Sequence, residues 1–187
     1  MELKRVTGRP NRKVLRVLLL TLAATLSVAS LPGLVGLRIN TTKSIPEGFY
    51  IIAKDGNAPF VEFCPDGVSS RLSVQRGYRP AGVCPDGAAP LIKPVIARSW
   101  DTVLISAGGI RVNGRLLPNT TPKYIDSLGR PLPVWPCGTY AVAPDSIWVA
   151  SSYHPNSFDS RYFGPISTRS IRHWLRPLWV FRAAPAH

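Results

Sequence analysis

The sequence has few of the residues that bind metals or carry negative charge. Its 187 residues include only three histidines, three cysteines and ten Asp or Glu residues. The histidines and cysteines are His154, His173, His187, Cys64, Cys84 and Cys137. Their spacing does not match that of a zinc site. We therefore expect neither a metal nor a cofactor.

Two common hydrolase motifs are also missing. The sequence contains neither Gly-x-Ser-x-Gly nor His-Glu-x-x-His, and His154 has no serine of suitable context near it. These absences disfavour a Ser–His–Asp hydrolase and a zinc peptidase. If the chain is a hydrolase, a serine–lysine pair is the expected type.

The scarcity of acidic residues leaves a formal net charge of +13. Six cations fall within the first sixteen residues, and the others are scattered with a small cluster near the C-terminus. No basic stripe is interleaved with stacking aromatics, and no helix-turn-helix pattern is present. The charge distribution therefore predicts no nucleic-acid partner.

The one long apolar run covers residues 17–37 and lies between Arg16 and Arg38. At about 1.5 Å per residue it spans roughly 30 Å, the thickness of a bilayer core. We expect a transmembrane anchor with a cytoplasmic basic N-terminus at 1–16 and an exported domain at 38–187. A cleaved secretory signal is the alternative, since "SVAS" offers small residues near a cleavage point.

The exported part carries the signals of short strands rather than long helices. Its prolines and glycines interrupt helices, and apolar segments rich in β-branched residues predict strands. We expect strands at 48–53, 91–97, 102–106, "TYAVA" and "SIWVAS", hairpins at 108–118 and 127–135, and a loop at 55–88 with one or two helical turns in "RLSVQRGY". The predicted fold class is a mainly β single domain.

Export to an oxidising compartment would allow one disulfide bond. "FCPDG" and "VCPDG" form a short internal echo around Cys64 and Cys84, which makes this the obvious pair. Three cysteines nevertheless permit three pairings, and the sequence leaves them open.

Ser44 and Lys93 are the two residues whose neighbours in the sequence raise the possibility of a catalytic role. Ser44 lies in "NTTKSIPEGFY", where a serine near proline is either a turn residue or a nucleophile. Lys93 is the single charge between Asp86 and Arg98 and has apolar neighbours on both sides. It either extends outward to solvent or points inward, where burial would lower its pKa and make it a general base.

A third segment, "NSFDSRYFGP", brings Asp159 and Arg161 two residues apart, with Ser157 close by. The two charges could form a surface ion pair of small energetic value. They could instead form a buried pair that shapes a site in which a serine hydroxyl orients the lysine.

Taken in order, these segments resemble the type I signal peptidase family (S26). The segments are "NTTKSIPEGFY", "PLIKPVIARSWDTVLIS" with "GIRVNG", and "SFDSRYFGP". "SIPEGFY", and "RGYRPAGVCPDGAAPLIK" ahead of the lysine, resemble in particular the TraF-type pilin-maturation peptidases of conjugative transfer. The likeness extends from about residue 38 to residue 180.

The resemblance implies roles for individual residues. Ser44 matches the nucleophile, Lys93 the general base, and Asp159 the acidic residue required in the TraF-type branch. Arg161 matches the partner of Asp159, Ser157 the serine that positions the lysine, and Thr42 the hydroxyl residue that assists the oxyanion hole.

The resemblance also implies a fold, a location and a function. The fold would be a coiled antiparallel β-sheet domain with one N-terminal transmembrane helix. The protein would sit in the bacterial inner membrane, with its catalytic domain in the periplasm. There it would cleave, and could cyclise, an exported pilin-type precursor, alongside components of conjugation or type IV secretion. A general leader peptidase and a non-catalytic envelope scaffold are the alternatives.

Three positions depart from the pattern of housekeeping signal peptidases. Tyr78 follows Arg76 and Gly77 where Arg-Gly-Asp is usual, and Pro94 follows the lysine where a basic residue is common. Trp100 occupies the place of a glycine that precedes Asp101. A glycine would suit a turn at that point.

Overall fold

The computed structural model describes residues 13–21 and 36–181. The chain divides into two compact units, Met1–Leu37 and Arg38–His187. In the first unit, residues 13–21 form helix α1, whose side chains are exposed. Residues 22–35 of the predicted anchor lie outside the described residues. No helix within the described ranges is long and apolar enough to cross a bilayer.

Short strands dominate the second unit, as the composition predicts. Eleven strands lie within residues 36–181: β1 Leu37–Asn40, β2 Gly48–Ala53, β3 Phe60–Phe63, β4 Leu91–Ala97, β5 Thr102–Ser106, β6 Gly109–Val112, β7 Arg115–Leu116, β8 Gly138–Ala141, β9 Ser146–Val149, β10 Ile166–Ser167 and β11 Ile171–Val180. The helices in this range are α2 (Gly67–Gln75), α3 (Ser160–Phe163) and a 3₁₀ turn at Thr168–Ser170.

The strands form two sheets. The larger has the order β1-β2-β11-β3-β4-β9-β10, and the smaller has the order β7-β6-β5-β8. β11 pairs antiparallel with both β2 and β3, and β4 pairs antiparallel with β3 and β9. β4 therefore lies inside the larger sheet, and the side chains on its buried face are shielded by strands on both sides.

Apolar side chains join the two sheets. Val103 and Ile105 of β5 are fully buried and pack in one cluster with Trp148 of β9. A second cluster, centred on Val61 and Phe63 of β3, fills the middle of the larger sheet. Burial of this apolar surface is the main stabilising contribution, and it fixes β4 between the two clusters.

Several strand predictions are confirmed. β2, β4 and β5 have the predicted bounds, and β6 and β7 form the predicted hairpin. Asn113 and Gly114 at its tip have φ of 48° and 82°. Positive φ at both positions is what a tight two-residue hairpin turn requires, and Asn-Gly tolerates it.

Two predictions are wrong. Residues 127–135 form no hairpin, because Pro131 and Pro133 cannot donate ladder hydrogen bonds; the only pairing there is an isolated bridge between Ile125 and Pro131. Residues 55–88 are not otherwise a loop either, since they include β3; the helical turns predicted in "RLSVQRGY" are confirmed by the nine-residue helix α2, which begins earlier. The segment "FVEF" is too short to be predicted as a strand from its sequence. It forms one because it is buried between β4 and β11, with which it pairs.

The structure contains a disulfide bond between Cys64 and Cys84, so the obvious pairing is confirmed. Cys137 is free and exposed. The disulfide ties the end of β3 to the segment that leads into β4. Closing a loop of this length stabilises the fold by roughly 3 kcal/mol through the unfolded state.

Candidate active site

Ser44 lies in the turn between β1 and β2, and the next residue anchors that turn in the core. Ile45 is 1% exposed and packs against Tyr50, Phe60 and Leu175. The Tyr50 hydroxyl donates to the Pro46 carbonyl at 2.5 Å, which fixes the far side of the turn. Ser44 is only partly buried. The turn is thus held from below while its serine remains accessible.

Asn40, at the end of β1, organises the same turn. Its side-chain Nδ2 donates to the carbonyls of Thr42, Ile45 and Pro46 at 2.8, 3.2 and 3.1 Å. Its Oδ1 accepts from the Thr42 backbone N–H at 3.1 Å and from the Thr42 hydroxyl at 2.7 Å. Asn40 is 3% exposed. A single buried amide therefore satisfies most of the polar backbone around the serine.

Lys93 comes from β4 and points inward. Lys93 is 3% exposed, and a lysine is almost never buried to this extent unless its amine has a partner. Burial lowers the pKa of Lys93 from 10.5 to about 8, while the charge of Asp159 raises it and that of Arg161 lowers it. Removal from water disfavours the ammonium form, so the amine loses its proton much nearer neutral pH than a surface lysine does.

Two serine hydroxyls contact the Lys93 amine. Lys93 Nζ lies 2.8 Å from Ser44 Oγ and 2.8 Å from Ser157 Oγ. Ser157 is itself buried. When the amine is neutral it keeps two N–H bonds and one lone pair. Ser157 can then accept an N–H while the lone pair faces the Ser44 hydroxyl.

Asp159 and Arg161 form a buried ion pair beside the lysine. Arg161 Nε and Nη2 each donate to one carboxylate oxygen of Asp159 at 2.8 Å, and both side chains are 0% exposed. The carboxylate also accepts from the Ser151 backbone N–H at 3.0 Å. The buried alternative is therefore the observed one, and no hydrogen bond joins Asp159 to Lys93 among the described residues.

Arg161 uses its remaining donors to hold the segment that carries Ser157. It donates to the carbonyls of Ser157 and Pro155, both at 2.9 Å, and to that of Asn119 at 3.2 Å. Asp159 also caps the short helix α3 by accepting from the Arg161 N–H. The ion pair thus positions Ser157, and Ser157 contacts the lysine.

A cleft of about 610 Å³ opens beside Ser44 and Lys93. Apolar side chains from three parts of the chain line it, among them Ile39, Ile92 and Leu132. This volume is within the usual range for ligand sites, which are mostly apolar with a few placed polar groups.

All six residues singled out from the sequence lie at this site. Ser44, Lys93 and Ser157 are in hydrogen-bond contact, Asp159 and Arg161 form the ion pair behind them, and Thr42 lines the cleft. Sequence reasoning missed Asn40. An asparagine two residues before a Thr in a turn was its signal, because Asn side chains often bond the backbone two residues on.

The family described as signal peptidase, peptidase S26, matches residues 11–179 of this chain. The chain belongs to that family, and the resemblance drawn from the sequence is confirmed. Its curated relatives include proteins that carry the name TraF.

A plasmid transfer protein TraF from Escherichia coli is 40% identical over 147 residues, 76% of this chain and 82% of that protein. A second, also from E. coli, is 39% identical over 162 residues, 83% and 89% of the two chains. A probable conjugal transfer protein TraF from Sinorhizobium fredii is 35% identical over 173 residues, 90% and 88% of the two.

Among solved structures, a signal peptidase I from Enterococcus faecalis aligns with a TM-score of 0.35 at 20% identity. The alignment covers 66% of this chain and 97% of that one. The mainly β class of this chain rests on the strands described above.

Proposed function

We propose that the protein is a membrane-anchored serine endopeptidase with Ser44 as nucleophile and Lys93 as general base. The observation that carries the proposal is the 2.8 Å contact between Lys93 Nζ and Ser44 Oγ, made by a lysine that is 3% exposed. A buried amine with a pKa of about 8 is well matched to proton transfer near neutral pH.

In the acylation step, neutral Lys93 takes the proton of the Ser44 hydroxyl. The serine oxygen attacks the scissile carbonyl, and the lysine ammonium then protonates the leaving amine. In the second step, Lys93 takes a proton from the water that attacks the acyl-enzyme, and gives that proton to Ser44 Oγ as the acyl C–O bond breaks. Ser157 keeps the amine oriented through both steps, since it occupies one N–H throughout.

The oxyanion of the tetrahedral intermediate needs donors close to Ser44. We assign this role to the Ser44 backbone N–H and the Thr42 hydroxyl. The Thr42 hydroxyl donates to Asn40 at 2.7 Å in the absence of substrate. It must therefore rotate away from Asn40 to reach the oxyanion, which couples oxyanion binding to the Asn40 network.

We propose an exported pilin-type precursor of conjugative transfer as the substrate. Support comes from relatives that this chain matches over most of their length and that are named as plasmid or probable conjugal transfer proteins. A substrate amine that replaces water in the second step would give a cyclised product. Residues 17–37 would anchor the enzyme in the bacterial inner membrane, with 38–187 in the periplasm beside conjugation or type IV secretion components.

Co-expression with a candidate pilin precursor tests this function. The mass of the precursor would be followed with the native chain, Ser44→Ala, Lys93→Ala and the matched control Lys54→Ala, an exposed lysine away from the cleft. We expect processing with the native chain and the control only. A cyclic product would be lighter by one water than the linear one. Unchanged processing in both dyad variants would instead favour a non-catalytic scaffold.

A second co-expression separates the pilin peptidase from a general leader peptidase. The native chain would be supplied with an unrelated secretory precursor in cells depleted of their own leader peptidase. A pilin-specific enzyme leaves that precursor uncleaved, whereas a general leader peptidase processes it.

A further inference from the structure

Two lysines and a histidine lie on three segments around the catalytic cleft. Lys43 directly precedes Ser44, and Lys123 lines the cleft from the segment between β7 and β8. His154 begins the turn that leads to Ser157, whose N–H donates to the His154 carbonyl at 3.2 Å. The charges of Lys43 and Lys123 both act on His154, so these residues, far apart in sequence, come near one another in the fold.

The positions of these segments are fixed by backbone contacts. The Lys123 N–H donates to the Tyr162 hydroxyl at 3.2 Å, which ties this segment to α3. The Asn156 N–H donates to His154 Nδ1 at 3.2 Å, and Asn156 lines the cleft. Because Nδ1 accepts this bond, the neutral imidazole carries its hydrogen on Nε2, which is a donor.

Within the described part of the chain, no acidic side chain pairs with these two lysines. Neither Lys43 nor Lys123 takes part in a salt bridge with any of the described residues. Asp126, the one carboxylate among the described residues that line the cleft, is already bound by Arg130 Nε at 2.7 Å and by the Tyr78 hydroxyl at 2.6 Å. Lys123, which lines the cleft, and Lys43, next to Ser44, therefore have no carboxylate partner among the described residues.

The charges around His154 are also positive. Burial lowers the pKa of His154, and the charges of Lys43, Lys123, Lys93 and Arg161 lower it further. Every charge that acts on this imidazole is thus positive. The lowered pKa favours the neutral imidazole, so the positive charge near it belongs to the lysines and Arg161, with the imidazole N–H as an additional donor.

We propose that Lys43, Lys123 and His154 form a subsite that binds a carboxylate of the substrate peptide beside the scissile bond. The inference rests on the proposed peptidase function and deepens it, because it names a specificity element. Much of the rest of the cleft wall is apolar, and Arg79, which also lines it, is already paired with Asp86. A carboxylate at the lysine side would instead gain charge-assisted hydrogen bonds.

The carboxylate can come from two sources, an Asp or Glu side chain near the scissile bond or a free C-terminus a few residues beyond it. A synthetic peptide series distinguishes them. The first set carries one Glu, or one Gln as its match, at successive positions around an Ala–Ala bond in an amidated alanine-rich peptide. The second set contains no acid and differs only in a free or amidated C-terminus.

Binding is measured by fluorescence anisotropy with full-length Ser44→Ala in detergent micelles, so that no peptide is consumed. At the favoured position we expect the acidic or free-carboxylate peptide to bind about three- to tenfold more tightly than its neutral match. The ratio should fall towards one as salt rises from about 0.05 to 0.5 M, because salt screens the partly exposed lysines.

Substitutions in the Ser44→Ala background locate the effect. Lys123→Met and Lys43→Met should each reduce the ratio at least twofold, whereas the matched control Lys54→Met should not. Equal affinity for acidic and neutral peptides at every position would overturn the subsite. An equal loss with Lys54→Met would also overturn it, because the preference would then reflect overall charge.

Failure of the subsite can be told apart from failure of the peptidase function. The precursor-processing experiment uses the catalytic serine and reads a change in mass, while the anisotropy experiment reads affinity in a chain without that serine. Intact processing with no carboxylate preference would reject the subsite alone. Carboxylate binding without processing would reject the serine–lysine mechanism and keep the subsite.

Discussion

Replacing Lys93 with methionine should inactivate the protein and at the same time make it more stable at pH 7. Methionine has a similar length and flexibility and suits a buried position on β4. It removes a charge that the fold must otherwise bury at 3% exposure. The substitution thus separates the proposed catalytic role of the lysine from its cost to the stability of the fold.

The size of the effect follows from the pKa and the contacts. Lowering the pKa of Lys93 from 10.5 to about 8 corresponds to about 3 kcal/mol of lost stability at pH 7, at about 1.4 kcal/mol per pKa unit. Methionine also forfeits the hydrogen bonds to Ser44 and Ser157, worth about 1 kcal/mol each. The net gain is therefore about 1 kcal/mol, or roughly 2 to 4 °C in Tm for a domain of this size.

The advantage should disappear at alkaline pH. The unfolded chain holds the Lys93 proton up to its ordinary pKa of 10.5, whereas the folded chain releases it at about 8. Between these values the unfolded state binds more protons, so the native protein gains stability as pH rises. By pH 10 the cost of Lys93 falls to about 1 kcal/mol, and the native chain should equal or exceed Lys93→Met.

Urea denaturation of the two proteins at pH 7 and pH 10, with the disulfide intact, measures the difference. Lys54→Met serves as the control, because its lysine is exposed and its substitution should add no pH-dependent term. A Lys93→Met protein that is less stable than the native one at pH 7, or a difference that does not change with pH, would refute the reasoning.

Three further predictions concern the same site. Peptidase kcat/KM should rise about tenfold per pH unit below pH 8 and level off above it as Lys93 deprotonates; a profile flat from pH 6 to 9 contradicts this. Asp159→Asn leaves Arg161 buried without its counter-charge and should cost about 3 to 5 kcal/mol in urea denaturation, so a loss below about 1 kcal/mol rejects the buried pair. Asn40→Ala removes the bonds that shape the serine turn and should lower kcat about 10- to 100-fold, as small displacements of positioned groups do, with the Tm measured alongside; an unchanged kcat would show that the turn holds without it.

Much of the fold could be predicted because local patterns and burial agree there. Residues 48–53, 91–97 and 102–106 combine β-branched residues with flanking turn signals, and each forms a strand with the predicted bounds. A lone charge in an apolar strand must either reach water or find partners. Lys93 finds partners in Ser44 and Ser157, which only the folded chain brings to it.

Other features depend on contacts between distant residues and could not be predicted. β11 lies between β2 and β3, and both of these strands precede it by more than a hundred residues in the chain. In β11, a register shift directly after Pro177 accommodates the missing N–H of this proline. The sequence shows Trp100 where the family usually has glycine, but it does not predict the backbone conformation of this residue. It adopts a φ of 76° and is 87% exposed, so the turn keeps a glycine-like backbone despite the bulky side chain.

The ion pair behind Lys93 is compatible with the proposed role of this lysine as a base next to a carboxylate. A lone Asp159 would attract the proton of Lys93 and hold it as an ammonium ion, since its charge raises the pKa of that amine. Arg161 binds both carboxylate oxygens and lowers the same pKa, so the charges partly cancel. Burial then remains the largest influence on Lys93. The pair therefore serves to position Ser157 and brace the turn, while its opposed charges leave the lysine able to lose its proton.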